Sequence, residues 1–240
     1  MRNLLILSAL VLISLASCDY VDSKRIRGDG NFKTEDRQLS NFSSVSSHGS
    51  YDVYLTQSTG YSVRIEAESN LLPYIETNVE GDVLEIRTKK GYWLSSKSDL
   101  KVFVSAPAFS RVKTFGSGNI LSQGMLNNTS AILMESSGSG DIRVELNAPE
   151  VSAELRGSGS IDVKGETRNF TGEIKGSGEI QAANLKAETV NVDIMGSGSA
   201  EVFASVKLNV DVKGSGDVKY RGGAQVSSDI AGSGSVKKLD

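Results

Sequence analysis

Gly-Ser-Gly occurs seven times in this 240-residue chain, beginning at Gly116, Gly138, Gly157, Gly176, Gly196, Gly214 and Gly232, with spacings of 22, 19, 19, 20, 18 and 18 residues. A unit of about twenty residues is too short to bury its own apolar face, so a recurrence at that period points to coils stacked in a solenoid. The flanking residues alternate. Before the triplets stand Val151-Ala153-Leu155, Phe170-Gly172-Ile174, Val190-Val192-Ile194, Leu208-Val210-Val212 and Val226-Ser228-Ile230. After them come Ile161 and Val163, Ile180 and Ala182, Ala200 and Val202, Val218 and Tyr220. Period two on both sides gives each unit a strand, a tight corner and a second strand, with one face of each strand turned inward.

Glycine suits such corners because it takes positive φ without a side-chain penalty. The corner glycines are therefore expected to be Gly116, Gly118, Gly138, Gly140, Gly157, Gly159, Gly176, Gly178, Gly196, Gly198, Gly214, Gly216, Gly232 and Gly234. An antiparallel meander would need a second turn signal every ten residues. The connections between triplets instead vary, as in Asn147-Ala148-Pro149-Glu150 and Arg221-Gly222-Gly223-Ala224. Uniform corners with variable opposite edges fit parallel coils about 4.8 Å apart. The expected fold is all-β: a single-domain parallel β-solenoid with Gly-Ser-Gly corners.

Residues 41–104 are strand-like but less regular. Tyr51-Val53-Leu55, Tyr61-Val63-Ile65, Leu84 with Ile86, and Val102 with Val104 form short alternating runs, and Asn70 to Ile75 reads as a loop or helical turn. His48-Gly49-Ser50-Tyr51-Asp52-Val53 looks like a degenerate version of the unit at 138–142, so this region is expected to supply irregular first coils of one continuous solenoid. The segment from Phe42 to Leu55, the stretch Asn70-Leu71-Leu72-Pro73-Tyr74-Ile75, the strand Gly81-Asp82-Val83-Leu84-Glu85-Ile86 and the repeated triplets together resemble the auto-transporter adhesin "head GIN" domain family over 41–240. The resemblance implies a secreted or lipid-anchored β-solenoid of a Gram-negative envelope.

The amino terminus reads separately. Arg2 and Asn3 precede an apolar run from Leu4 to Leu15, a length that suits a signal-peptide core better than a membrane span. Leu15-Ala16-Ser17-Cys18 resembles the bacterial lipoprotein processing motif, in which the cysteine is acylated. The expected organisation is a signal peptide at 1–17, a polar flexible tether at 18–40 beginning with lipidated Cys18, and the solenoid domain at 41–240. The membrane is then a partner through the N-terminal lipid, and the location is the cell envelope, at the outer membrane.

The inventory removes several chemistries. One Cys and one His support neither a disulfide framework nor a Cys/His metal site, and 26 Lys and Arg against 29 Asp and Glu give a net charge of −3, with no basic field for nucleic acid. His48 lies in a serine-rich stretch and reads as a surface or capping residue. No cofactor, metal or catalytic residue is expected, and a non-enzymatic adhesin-like binder or surface scaffold, with a glycan or protein ligand, is the functional expectation. A polysaccharide-active β-helix enzyme is the first alternative, but short connections leave little material for walls around a substrate. An ice- or crystal-surface binder is the second, suggested by the polar column Ser152, Thr171, Asn191, Asn209 and Ser227. Tyr92 and Trp93, at the join of irregular and regular parts, are expected to cap the core or to stack on carbohydrate.

Two further features remain. The position three before the triplets holds Glu135, Glu154, Glu173, Asp193, Asp211 and Asp229, an acidic column that reads either as a solvated stripe or as a candidate binding face for divalent cations or a cationic partner. Arg156, Lys175 and Lys213, one before the triplets, are placed to neutralise it in part. The last segment, Val236 to Asp240, offers an open edge for self-association, with Lys237 and Lys238 as charged gatekeepers.

Overall fold

The structure, a computed structural model, describes residues 23–239; the expected signal peptide, Cys18 and Asp240 lie outside the described residues. The first half contains β1 (Lys24–Arg27), β2 (Phe32–Arg37), β3 (Ser44–Gly49), β4 (Tyr51–Gln57), β5 (Ser62–Glu68), a 3-10 turn at Leu72–Tyr74, β6 (Ile75–Glu80), β7 (Val83–Thr88), β8 (Tyr92–Ser95) and β9 (Leu100–Ala106). The repeats follow as β10 (Arg111–Gly116), β11 (Ile120–Asn127), β12 (Ile132–Gly138), β13 (Ile142–Gly157), β14 (Ser160–Gly176), β15 (Glu179–Gly196), β16 (Ser199–Gly214), β17 (Asp217–Arg221), β18 (Gln225–Gly232) and β19 (Ser235–Lys238).

The chain is an all-β, single-domain parallel β-solenoid with an irregular N-terminal region. Every triplet is in register with the next: Gly116 pairs with Gly138, then Gly157, Gly176, Gly196, Gly214 and Gly232 follow. The strands before the corners form one parallel stack and those after them a second. From β13 to β16 the chain runs as strand of 16–18 residues from one triplet to the next, so the variable edge is crossed without a loop. Pro149, which has no N–H to give, falls at the missing rung between β13 and β14. The 20-residue unit absorbs its extra length through register shifts after Asp162, after Ala182 and after Ala187.

Alternation fills the core as expected. Val151, Ala153, Leu155, Phe170, Ile174, Val190, Val192, Ile194, Leu208, Val210 and Val212 are all buried. Gly172 takes an inward place because its neighbour is large: a Cβ there would lie 3.4 Å from the Phe170 ring and 3.3 Å from Ile180. Pairing the largest core residue with no side chain keeps the coil's volume constant.

The corners separate the two glycines of each triplet. Only the first has positive φ, between 121° and 140° from Gly116 to Gly232. Its carbonyl accepts the N–H of the next coil's serine, as Ser177 donates to Gly157 at 3.0 Å and Ser197 to Gly176 at 2.9 Å. The second glycine, expected to share the conformation, is required sterically instead: a Cβ on Gly178 would stand 2.5 Å from the Gly159 carbonyl oxygen and 2.5 Å from Leu155 Cδ2.

The degenerate unit at His48–Val53 is a true coil, with Gly49 opposite Gly116, at φ 127°, and Val53 opposite Ile120. Its place in the stack differs from its place in the chain. The order of layers is β7/β9, then β3/β4, then β10/β11, so the outermost coil is built from later sequence. The reason is the antiparallel insert: β6 adds to β7 through the tight turn at Gly81, β5 adds to β9, and β2 adds to β5. These strands, with the 3-10 turn, cover an end that would otherwise present open edges.

The tether expected over 18–40 is corrected by β1 and β2. The first pairs in parallel with β8 as a separate two-stranded sheet, and the second lies antiparallel on β5. Glu68, fully buried, anchors the segment by accepting hydrogen bonds from the Gly30 N–H at 3.1 Å, the Ser96 hydroxyl at 2.6 Å and the Lys97 N–H at 3.3 Å. Polar composition misleads here because both are edge strands with a solvated face.

Candidate functional site

The acidic column is continuous in register: Glu135, Glu154, Glu173, Asp193, Asp211 and Asp229 stand opposite one another on successive coils. Strand spacing brings like charges within about 5 Å, which is destabilising unless offset. Three of the six rungs carry their own counterion two residues on, and Glu135 takes its cations from neighbouring coils. Arg156 bridges Glu154 at 2.8 Å and also Glu135, Lys175 pairs with Glu173, and Lys213 lies 3.4 Å from Asp211. Glu135 is nearly buried and receives Lys113 as well, at 2.8 Å.

Two rungs differ. The positions that would supply the cation beside Asp193 and Asp229 are Met195 and Ala231, and neither carboxylate has an ion pair among the described residues. Partial burial, then repulsion from Asp211 and Glu173, holds the Asp193 carboxyl above the ordinary carboxylate range. The polar column runs alongside it, with Asn209 donating to Asn191 at 2.7 Å. Asn191, Asp193, Asn209, Asp211, Ser227 and Asp229 thus form one shallow acidic amide-and-hydroxyl surface. Among the described residues no group of three or more His, Cys, Asp or Glu is arranged to hold a metal ion.

His48 has more contacts than a surface residue needs. Its ring stacks on Phe115 at 4.7 Å, and Nε2 lies 2.9 Å from the Ser46 hydroxyl and 3.0 Å from a Glu85 oxygen. A serine relay requires the base to meet serine through one nitrogen and its orienting carboxylate through the other. Both partners here share one nitrogen, so the trio, with Phe115 stacked on it, is a structural brace across the β7, β3 and β10 layers.

Tyr92 and Trp93 lie on the separate β1–β8 sheet, away from the join of the regular coils. Tyr92 turns inward against Tyr74, ring centroids 4.6 Å apart, whereas Trp93 is 57 % exposed beneath the Arg25 guanidinium. The sequence reading missed a groove of about 760 Å³ along the edge opposite the triplets, where Asn127, Asn147, Glu166, Lys186 and Phe203 fall on successive coils. Beyond Asn127 and Asn147 those residues share no type, so no sustained repetition marked them.

No curated protein matches the chain. Among solved structures it resembles a "putative adhesin" from Bacteroides fragilis, with TM-score 0.85 and 23 % identity over 89 % of this chain and all of the other. A "putative lipid binding protein" from Parabacteroides distasonis matches with TM-score 0.73 and 28 % identity over 90 % of this chain and all of the other. A "putative adhesin" from the same organism gives TM-score 0.72 and 26 % identity over 90 % and 100 %. A family model described as "Putative auto-transporter adhesin, head GIN domain" matches residues 41–224, which takes in β3 to β17 and six of the seven triplets. The chain belongs to that head GIN domain family.

Proposed function

We propose that this chain is a lipid-anchored envelope protein, divided into a signal peptide at 1–17, a lipidated Cys18 with a short connecting segment, and a solenoid domain that presents an adhesin-like contact surface. The observation that carries the reading is family membership combined with an outer surface made of registered side-chain columns rather than an enclosed cleft. Such a surface suits repeated or extended ligands, because each coil repeats the same contact at a fixed spacing. The contact face we propose is the acidic ladder, from Glu135 through Glu154, Glu173, Asp193 and Asp211 to Asp229, for a cationic segment of a protein or glycan-bearing partner.

Protease shaving of intact cells tests the placement: loss of the domain without lysis supports an exposed adhesin, and full protection shifts the reading to a periplasmic scaffold. We also propose that β18 and β19 can pair with a second copy and that Lys237 and Lys238 oppose it. A Lys237→Val, Lys238→Val variant is expected to form oligomers by light scattering, and a monomer at high concentration would remove the idea.

A further inference from the structure

We propose that the outward face of the β1–β8 sheet is a membrane-docking surface for anionic phospholipid; this rests on the lipid-anchor reading above. The parallel register sets Arg25 opposite Trp93 and Arg27 opposite Ser95. Period two therefore places these four on one face, while Ile26 and Leu94 on the other face pack against the core. Trp93 is 57 % exposed, with the Arg25 guanidinium 4.6 Å from its ring centroid and Nη2 of Arg25 donating to the Ser95 hydroxyl at 2.7 Å. An indole held outward beside guanidinium groups matches the boundary between water and lipid headgroups, where amphipathic rings and long cationic side chains both gain.

Charge continues past the sheet. Lys24 begins β1, its N–H bonded to the Gly91 carbonyl at 2.9 Å, and Lys89 and Lys90 lead into that same turn. Lys97 follows the other end of β8. None of Lys24, Arg25, Arg27, Lys89, Lys90 and Lys97 has a carboxylate within ion-pair distance among the described residues. In the ladder, by contrast, Arg156, Lys175 and Lys213 are each paired. The nearby acids are engaged otherwise: Glu68 is buried, and Asp29 accepts from the Asn31 N–H and the Ser69 hydroxyl. Among the described residues of the adjoining loop Asp99 adds an exposed carboxylate, and Asp19 and Asp22 precede Ser23 in the sequence.

The reach of the chain bounds how far β1 can lie from the bilayer. Between Cys18 and Ser23, the first described residue, five peptide steps span at most about 18 Å. A lipid on Cys18 would hold the start of β1 within that distance of the headgroups, whereas the ladder would be free to project away. A cluster of unpaired cations so close to an anionic surface is attracted to it within a Debye length or so.

Trp93 is the only tryptophan, so its emission reports this face alone. The full lipidated chain is reconstituted into vesicles of phosphatidylcholine, either pure or with about one third phosphatidylglycerol. Docking predicts a blue shift and quenching by brominated lipid in the anionic vesicles only, both reversed by high salt. Identical emission in the two vesicle types overturns the proposal, as does a shift produced by soluble glycan but by neither vesicle. Cys18→Ser separates the two readings. A wild-type chain from envelopes heavier than the variant by no more than the sulfur-for-oxygen exchange removes the anchor, yet the same variant, added to preformed vesicles, still reads the face. Sedimentation with anionic and not neutral vesicles supports docking, with roughly tenfold weaker partition expected for Arg25→Glu, Lys90→Glu; sedimentation with neither, or a variant equal to its parent, overturns it.

Discussion

Gly176 and Gly178 are separated by one serine and are needed for different reasons. Gly176 sits at φ 131°, with the Gly157 carbonyl oxygen 2.5 Å from where a Cβ would stand, so a side chain there meets both backbone strain and a clash. Gly178 has ordinary φ but no room. Gly176→Val and Gly196→Val are each expected to lower stability by about 1–3 kcal/mol or more, read as a fall in melting midpoint. Gly178→Ala should fall too, although its backbone is unstrained. By contrast Gly81→Ala, at φ 64° with nothing within 4 Å, isolates the conformational penalty alone, about 1 kcal/mol. The ionisable residues split in the same way. Asp193 has its carboxyl raised above the ordinary range, so the folded state holds that proton more tightly than the unfolded chain, and its ionised form costs stability at neutral pH. Asp193→Asn should therefore raise the midpoint at pH 7, by roughly 0.2–1 kcal/mol, with the gain closing as pH falls through the raised value. Asp82 is the opposite case. Hydrogen bonds from Arg111 and from Ser44 and Ser43 hold its carboxyl below the ordinary range. Its contribution is present above the ordinary carboxylate pKa and is lost as pH falls through the lowered one, so Asp82→Asn should lower the midpoint at pH 7 and match the parent in strong acid.

Three coils neutralise their own acid two residues on, and the Asp193 coil, which does not, gives a direct test. Met195 is 46 % exposed at the position held by Arg156, Lys175 and Lys213 in its neighbours. Met195→Lys should lower the Asp193 carboxyl towards its ordinary value in an NMR titration and raise stability by about 0–1 kcal/mol. An unmoved titration would mean that burial, not the missing cation, governs Asp193. Inside the coil, Phe170→Ala should cost about 3–5 kcal/mol, because Gly172 beside it offers nothing to fill the cavity. The regular half was legible for a physical reason: period two, glycine corners and a fixed spacing are all local, and stacking copies them from coil to coil. The ladder was legible on the same grounds, as was the compensation by Arg156, Lys175 and Lys213. What escaped was non-local. No local pattern in β5 or β6 announces an antiparallel reversal, so the layer order β7/β9 before β3/β4 could not be read. The polar strand Phe32–Arg37 looked like tether because its ordering depends on β5 and on Glu68, thirty residues away. Trp93 was visible as a residue, but its Arg25 neighbour arrives through the pairing of β1 with β8.

Across the whole molecule, burial is graded along the stack. In β13 to β16 nearly every inward side chain is buried, whereas Ile230 in β18 is 36 % exposed and Val226 and Val236 are only partly covered. The opposite end is covered by the antiparallel strands and the 3-10 turn, with Leu71, Leu72 and Ile75 buried beneath them. In a solenoid each coil is stabilised mainly by its neighbours, so a layer with one neighbour opens at lower free energy than a layer with two. Native-state hydrogen exchange should therefore run as a gradient: β18 and β19 exchange first, β17 and β16 next, and β13 to β15 last, with the β7/β9 layer slower than β18 and β19 despite lying at the other end of the stack. The gradient also fixes how damage spreads. Gly214→Val, next to the weakly covered end, should release β16 to β19 while leaving protection in β13 and β14 close to the parent's, whereas Gly157→Val should lower protection on both sides. Uniform exchange across all coils, or equal effects of the two substitutions, would mean that the stack unfolds as one unit and that coverage at its ends does not set its local stability.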